Sequence, residues 1–154
     1  MRMWVVTGTA ALVLAGTAAC GGTTNPATPP PSAKNVQPCQ LLTGADVAAL
    51  LGVSDPKPVQ DTATECGYQD GTSIVQLAIE PAAFDQAIAD KVFAGTGTKI
   101  TGVGEVAYTY PNGKVGQTHV WVKGQYLTMS VHILDSADNI AASTKLAKIA
   151  VGRL

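Results

Sequence analysis

Two histidines and three cysteines are the side chains of this chain best suited to chemistry. His119 and His132 flank a Gly124-Gln125 step. Read as a two-residue type II′ loop, it pairs Val122 with Leu127, Val120 with Met129 and Thr118 with Val131 as one apolar face. The other face then carries Gln117, His119, Trp121 and Lys123 against Tyr126, Thr128, Ser130 and His132. In that register the imidazoles are diagonal neighbours roughly 7 Å apart, within reach of a shared metal. No nearby Asp, Glu or Cys completes a ligand set, so a solvated or partner-facing pair is expected, with no metal and no cofactor. Exposed aromatics among hydroxyls and amides often mark recognition surfaces. His119, Trp121, Tyr126 and His132 therefore form the candidate binding face. The competing reading is that a helix covers this face and Trp121 belongs to the core.

Other motifs carry less. Gly102-Val103-Gly104-Glu105-Val106-Ala107 matches a dinucleotide fingerprint by letters. That fingerprint needs a strand before it and a helix after it, and here β-branched and aromatic residues follow, as in a strand turn. There is no Gly-x-Ser-x-Gly elbow, Cys/His pair or metal-protease helix motif. Asp135 and Asp138 read as helix-start residues. The expectation is a protein that is not an enzyme.

The cysteines point to export. Arg2 precedes an apolar run of 16 residues, Trp4 to Ala19. A spanning helix needs about 20, so the run reads as a signal peptide, residues 1–19. Thr17-Ala18-Ala19 sets small residues before Cys20, and Gly21-Gly22 follow. This resembles the bacterial lipobox, whose cysteine becomes the acylated N-terminus. It departs in having Thr17 where Leu is usual, and ordinary signal-peptidase cleavage is the alternative. The next stretch favours acylation. Gly21 to Lys34 holds four prolines and no large apolar residue. As extended chain, the 18 residues to Pro38 reach roughly 55 Å, a stalk with no obvious use to a freely secreted protein. With Cys20 lipidated, the odd count of three resolves, leaving Cys39 and Cys66 as a disulfide pair. The chain divides into a leader (1–19), a lipidated cysteine and tether (20–38) and one extracytoplasmic domain (39–154), anchored at the cell membrane.

Charge narrows the partners. Ten Lys and Arg face eleven Asp and Glu, and removing Arg2 leaves nine against eleven, a net −2. No basic run exists, which excludes electrostatic support for nucleic acid or for an anionic membrane surface. Only 14% of residues are charged, and small and β-branched types abound, as suits a compact, partly β domain.

The elements that must position these residues follow from local signals. Thr43 caps a helix with Asp46 in a capping-box arrangement, Leu42 staples onto Val47, and Gly52 ends it. Pro56 and Pro58 flank a weak edge strand. Asp70-Gly71 predicts a type I′ hairpin pairing Tyr68 with Ser73, Cys66 with Val75 and Thr64 with Leu77. Val75, Leu77 and Ile79 then face the core, and Cys66 and Tyr68 turn inward. Pro81 suits the first turn of a second helix with Phe84, Ala87, Ile88 and Val92 buried. Tyr110-Pro111-Asn112-Gly113 fits a three-residue loop that sets Val106 opposite Thr118; a two-residue loop would flip the strand. Asp135 or Ser136 caps a last helix to about Val151, with Ile140, Leu146, Ala147, Ile149 and Val151 apolar and Lys145 and Lys148 in water. Hairpins dominate, so the fold class is α+β: a mainly antiparallel sheet with helices packed on one face, a two-layer sandwich.

Pro38-Cys39-Gln40-Leu41-Leu42-Thr43, the Leu51-Gly52 helix end, Cys66-Gly67-Tyr68 and the Gly102–Tyr108 stretch together resemble the actinobacterial lipoprotein family known as domain of unknown function 3558. The resemblance covers most of residues 38–154. More distantly, the opening is similar to the extracellular sensor domains of mycobacterial receptor kinases, although this chain has no kinase and no second cysteine pair. Neither resemblance supplies a catalytic residue. Two functions are expected: a non-catalytic binding or sensing module for an envelope protein or small ligand, or a lipid or glycolipid carrier with an apolar cavity between sheet and helices.

Overall fold

The computed structural model describes residues 36–52, 54–134 and 136–154. The leader, Cys20, nearly all of the tether and the candidate cap Asp135 lie outside them. In chain order the elements are α1 (Pro38–Leu41), α2 (Gly44–Leu51), β1 (Pro58–Asp61), β2 (Glu65–Asp70), β3 (Ser73–Pro81), α3 (Gln86–Phe93), β4 (Thr98–Ile100), β5 (Val106–Asn112), β6 (Val115–Val122), β7 (Gln125–His132) and α4 (Asn139–Gly152).

The class is α+β. Seven strands form one antiparallel sheet in the order β1-β2-β3-β7-β6-β5-β4. Alternate residues face opposite sides of a strand, and the larger core lies on the side of Val75, Leu77, Val120, Leu127, Met129 and Val131. There α4 brings Ala142, Leu146, Ala147 and Ala150, while α1 and α2 bring Leu41 and Val47. A smaller cluster on the other side joins Ala89 and Phe93 of α3 to Tyr108 and Trp121.

Capping at the start of the domain is as expected. Thr43 and Asp46 form a reciprocal capping box, and Gly52 closes α2 in the left-handed region. Arg153 ties the C-terminus to this corner. Its guanidinium donates to the Leu41 carbonyl at 2.7 Å and to both Asp46 carboxylate oxygens at 2.5 and 2.9 Å. Arg153 and the Thr43 hydrogen bonds together hold the Asp46 carboxyl at about 2. The expected disulfide is present: Cys39 and Cys66 are bonded, with Cα atoms 5.0 Å apart. It joins α1 to β2 over a fully buried Cys66.

All three hairpin turns differ from expectation, two of them in the same way. Gly71 and Gly113 each occupy the first central position of a two-residue turn, with φ of 57° and 61°. Asp70 and Asn112 stay in the strands, because glycine takes a positive φ at no steric cost whereas a residue with a Cβ pays about 1–2 kcal/mol. In the first hairpin Tyr68 therefore pairs with Val75, not Ser73, and Cys66 with Leu77. The two-residue slide preserves parity, so Cys66 and Tyr68 still face the core. In the second hairpin the parity flips: Val106 lies opposite Trp121, not Thr118. The third turn is Lys123-Gly124, both at positive φ. Val120 then pairs with Leu127 and Trp121 with Tyr126, again a two-residue slide with the faces unchanged.

Two helices also differ from their sequence reading. Pro81 remains in β3, paired with Gln125. Helix α3 begins only after Asp85, whose carboxylate accepts from the Ala87 and Ile88 amides. Its buried face is Ala89 and Phe93, and Ile88 and Val92 are exposed at 58% and 55%. Helix α4 starts after Asp138; Ser136 instead accepts from the Asp138 amide. Its inner face is built from Ala142, Ser143, Leu146, Ala147 and Ala150, with Ile140, Ile149 and Val151 only half-buried. Small residues prevail because α4 sits very close to the sheet: a Cβ on Gly116 would lie 2.2 Å from the Asn139 carbonyl carbon. Lys145 and Lys148 are exposed as expected.

Candidate functional site

The third hairpin sets Trp121 directly opposite Tyr126, and the flipped second hairpin adds Tyr108 beside His119 on the same face. Helix α3 then lowers Phe93 among them. Phe93 stacks on Tyr108 at 4.6 Å, tilts against His119 at 4.9 Å and meets Trp121 edge-on at 6.3 Å. Phe84, on the approach to α3, meets Trp121 edge-on at 5.2 Å, and Trp121 packs against Tyr126 at 4.6 Å. Each such pair contributes about 0.5–1.5 kcal/mol beyond burial. Gln86 donates to the Tyr108 hydroxyl at 3.1 Å and anchors the first turn of α3 over the cluster.

The four residues of the candidate binding face do not stay together. Trp121 is buried at 8% and belongs to the aromatic cluster, while Tyr126 is half-buried beside it. His119 is buried at 9%, and its Nδ1 is hydrogen-bonded to the Tyr126 hydroxyl at 2.5 Å. Burial lowers the His119 pKa to about 4, so the ring is neutral at pH 7. Burial also raises the Tyr126 pKa. His132 is elsewhere. It pairs with Ile74, four residues along β7 from the Thr128 that faces His119. At strand rise this is roughly 13 Å, so the diagonal histidine pair is not formed. Its Nε2 is buried without a hydrogen-bond partner among the described residues. No three His, Cys, Asp or Glu side chains gather among the described residues in a way that could hold a metal.

Beside Trp121 and Tyr126 a groove of about 210 Å³ opens between the sheet and α3. Ala82, Ala83, Ala89, Val92 and Ile88 form its apolar walls, with Asp85 at one edge. The two readings of Trp121 thus meet in one geometry: a helix covers much of the ring, and a groove remains next to it. Phe84 was legible as an apolar position, but Phe93, Tyr108 and Tyr110 were missed as members of this face. The tyrosines join this face because Gly113 takes the first turn position, which sets the parity of β5 and which the Asn-Gly pair alone does not fix. The Gly102–Gly104 segment is a strand turn, as expected. It leads into Glu105, whose amide donates to the Trp121 carbonyl and whose carboxylate accepts from the Lys123 amide.

Comparison of the chain with family models, with curated proteins and with solved structures finds no match.

Proposed function

We propose that this protein is a non-catalytic binding module held on the outer side of the cell membrane by an acylated Cys20, and that the groove beside Trp121 and Tyr126 is its recognition site. The observation that carries the reading is the apolar groove of about 210 Å³ flanked by exposed Ile88 and Val92. A helix that contributes Ala89 and Phe93 to a core has no packing reason to present Ile88 and Val92 to water. Contiguous exposed apolar surface next to a concave site is characteristic of recognition. The groove is smaller than the 300–1,000 Å³ of a typical small-molecule pocket, so it suits one apolar group of a larger ligand. A whole lipid between sheet and helices, as a carrier would need, competes there with Val120, Leu127, Met129, Leu146 and Ala147, all essentially inaccessible.

Native mass spectrometry of full-length protein extracted from its own membranes, as wild type and as Ile88→Asp/Val92→Asp, tests this reading. The expected result is a bound species on wild type that the variant loses. The same species on both proteins, or none on either, contradicts the groove. A co-purified intact lipid that the variant retains would favour the carrier.

A further inference from the structure

The groove beside Trp121 and Tyr126 is poor in hydrogen-bond acceptors. Ala82, Ala83, Ile88, Ala89 and Val92 wall it with hydrocarbon. The one carboxylate among its lining residues, Asp85, is turned to the Ala87 and Ile88 amides, and the Tyr126 hydroxyl is held by His119 Nδ1. An ordinary extended peptide would bury backbone N–H groups there and leave them without partners. Proline has no N–H. A proline-rich segment brings apolar rings and no donors to satisfy, and aromatic-lined grooves are what such segments dock into in the polyproline II form.

The chain carries one such segment. Pro26-Ala27-Thr28-Pro29-Pro30-Pro31, in the tether and outside the described residues, has no charged and no large apolar side chain, and four of its six residues lack an N–H. With three residues per turn, Pro26 and Pro29 fall on one edge of a polyproline II helix, roughly 9 Å apart.

The reach also fits. Val36 packs against the larger core just before α1, and Cys39 of α1 is bonded to Cys66, which pairs with Leu77. From Leu77 to Ala82 in the groove wall is five residues of chain, roughly 17 Å, and passing round the sheet end to the other face adds roughly 10 Å. From Val36 back to Pro29 and to Pro26 the chain spans roughly 22 and 31 Å, on either side of that distance. So short a link gives the segment an effective concentration on the order of millimolar, ahead of a scarce free competitor of equal affinity. We propose that Pro26–Pro31 of the same chain docks in this groove and covers it until a ligand displaces it. The proposal rests on the groove being the recognition site and names what regulates it.

Photo-crosslinking of the purified full chain in detergent tests it, with a photoreactive amino acid at Ile88 and the adducts mapped by mass spectrometry. An equimolar mixture with an isotope-labelled copy separates contacts within one chain from contacts between two. The expected result is an adduct to residues 26–31 of the same chain. Its yield should fall at least tenfold in Pro26→Ser/Pro29→Ser/Pro30→Ser/Pro31→Ser, which leaves every residue of the domain in place. A synthetic peptide of residues 24–33 should bind that substituted chain at least tenfold more tightly than wild type, whose groove is already covered. No adduct to residues 26–31, an adduct only between copies, an adduct to co-purified lipid instead, or equal peptide affinity for both chains would overturn the proposal. Recognition is read separately, from the bound species in native mass spectrometry. That species without the internal adduct removes the cover and keeps the groove reading; the internal adduct without that species keeps the contact and removes the recognition.

Discussion

His119 shows how one residue reports on the whole aromatic cluster. Its ring lies between Phe93 and Tyr126, and that burial holds its pKa at about 4 against an ordinary 6.5. Above pH 6.5 neither the folded nor the unfolded chain binds the proton. As pH falls toward 4 the unfolded chain takes it and the folded one does not, so stability drops by up to about 1.4 kcal/mol per pH unit. Urea unfolding between pH 7 and pH 4.5 should show this slope in wild type and a flatter one in His119→Gln; equal slopes would disprove it. Asp46 acts in a lower window. Its carboxyl is held at about 2 against 3.8, so its contribution is intact above pH 3.8 and is lost as pH falls through about 2. The Cys39–Cys66 bond closes a sequence separation of 27, which on the chain-entropy model stabilises the fold by about 3.5 kcal/mol. Cys39→Ala/Cys66→Ala should lose about that much in denaturant unfolding, and a loss under 1 kcal/mol would contradict the model. This pair was readable from cysteine arithmetic, on the expectation that Cys20 of an exported chain is acylated and leaves two thiols.

At the scale of elements, strands were more legible than turns. The alternation of Val75, Leu77 and Ile79 announces which side is core, and the capping box at Thr43 announces a helix start. Turn position is subtler, because Asp-Gly and Asn-Gly allow glycine to sit first or second. Only the completed sheet, with Asp70 opposite Ser73 and Asn112 opposite Val115, decides between them. A slide of two residues is harmless to the faces, but the odd shift at Gly113 moved Tyr108 and Tyr110 into the site. The buried side of α3 was misread as well: Asp85, not Pro81, caps the helix, and Ala89 and Phe93, four residues apart on one face, are the buried pair. Close approach was also invisible in the sequence. Gly116 reads as a weak strand residue, yet it is where α4 begins against the sheet. Gly116→Ala should cost about 1–3 kcal/mol through overpacking against the Asn139 backbone. It should appear as a melting temperature several degrees lower, and an unchanged melting temperature would refute the contact.

For the whole molecule, anchoring and recognition are separable claims. The anchor is a proposal: an acylated Cys20 would hold the domain at the membrane through the Gly-, Thr- and Pro-rich sequence that follows it. Cys20→Ala should move the protein from the detergent phase to the aqueous phase in phase separation; partition like wild type would remove the anchor from the account. Recognition is the central claim, and photo-crosslinking in intact cells tests it most directly. A photoreactive amino acid is placed at Ile88 beside the groove or, as a control on the opposite face of the sheet, at Lys145 of α4. A discrete crosslinked species is expected from position 88, absent from position 145 and lost when Val92→Asp is added. No adduct from position 88, or the same adduct from both positions, would contradict it.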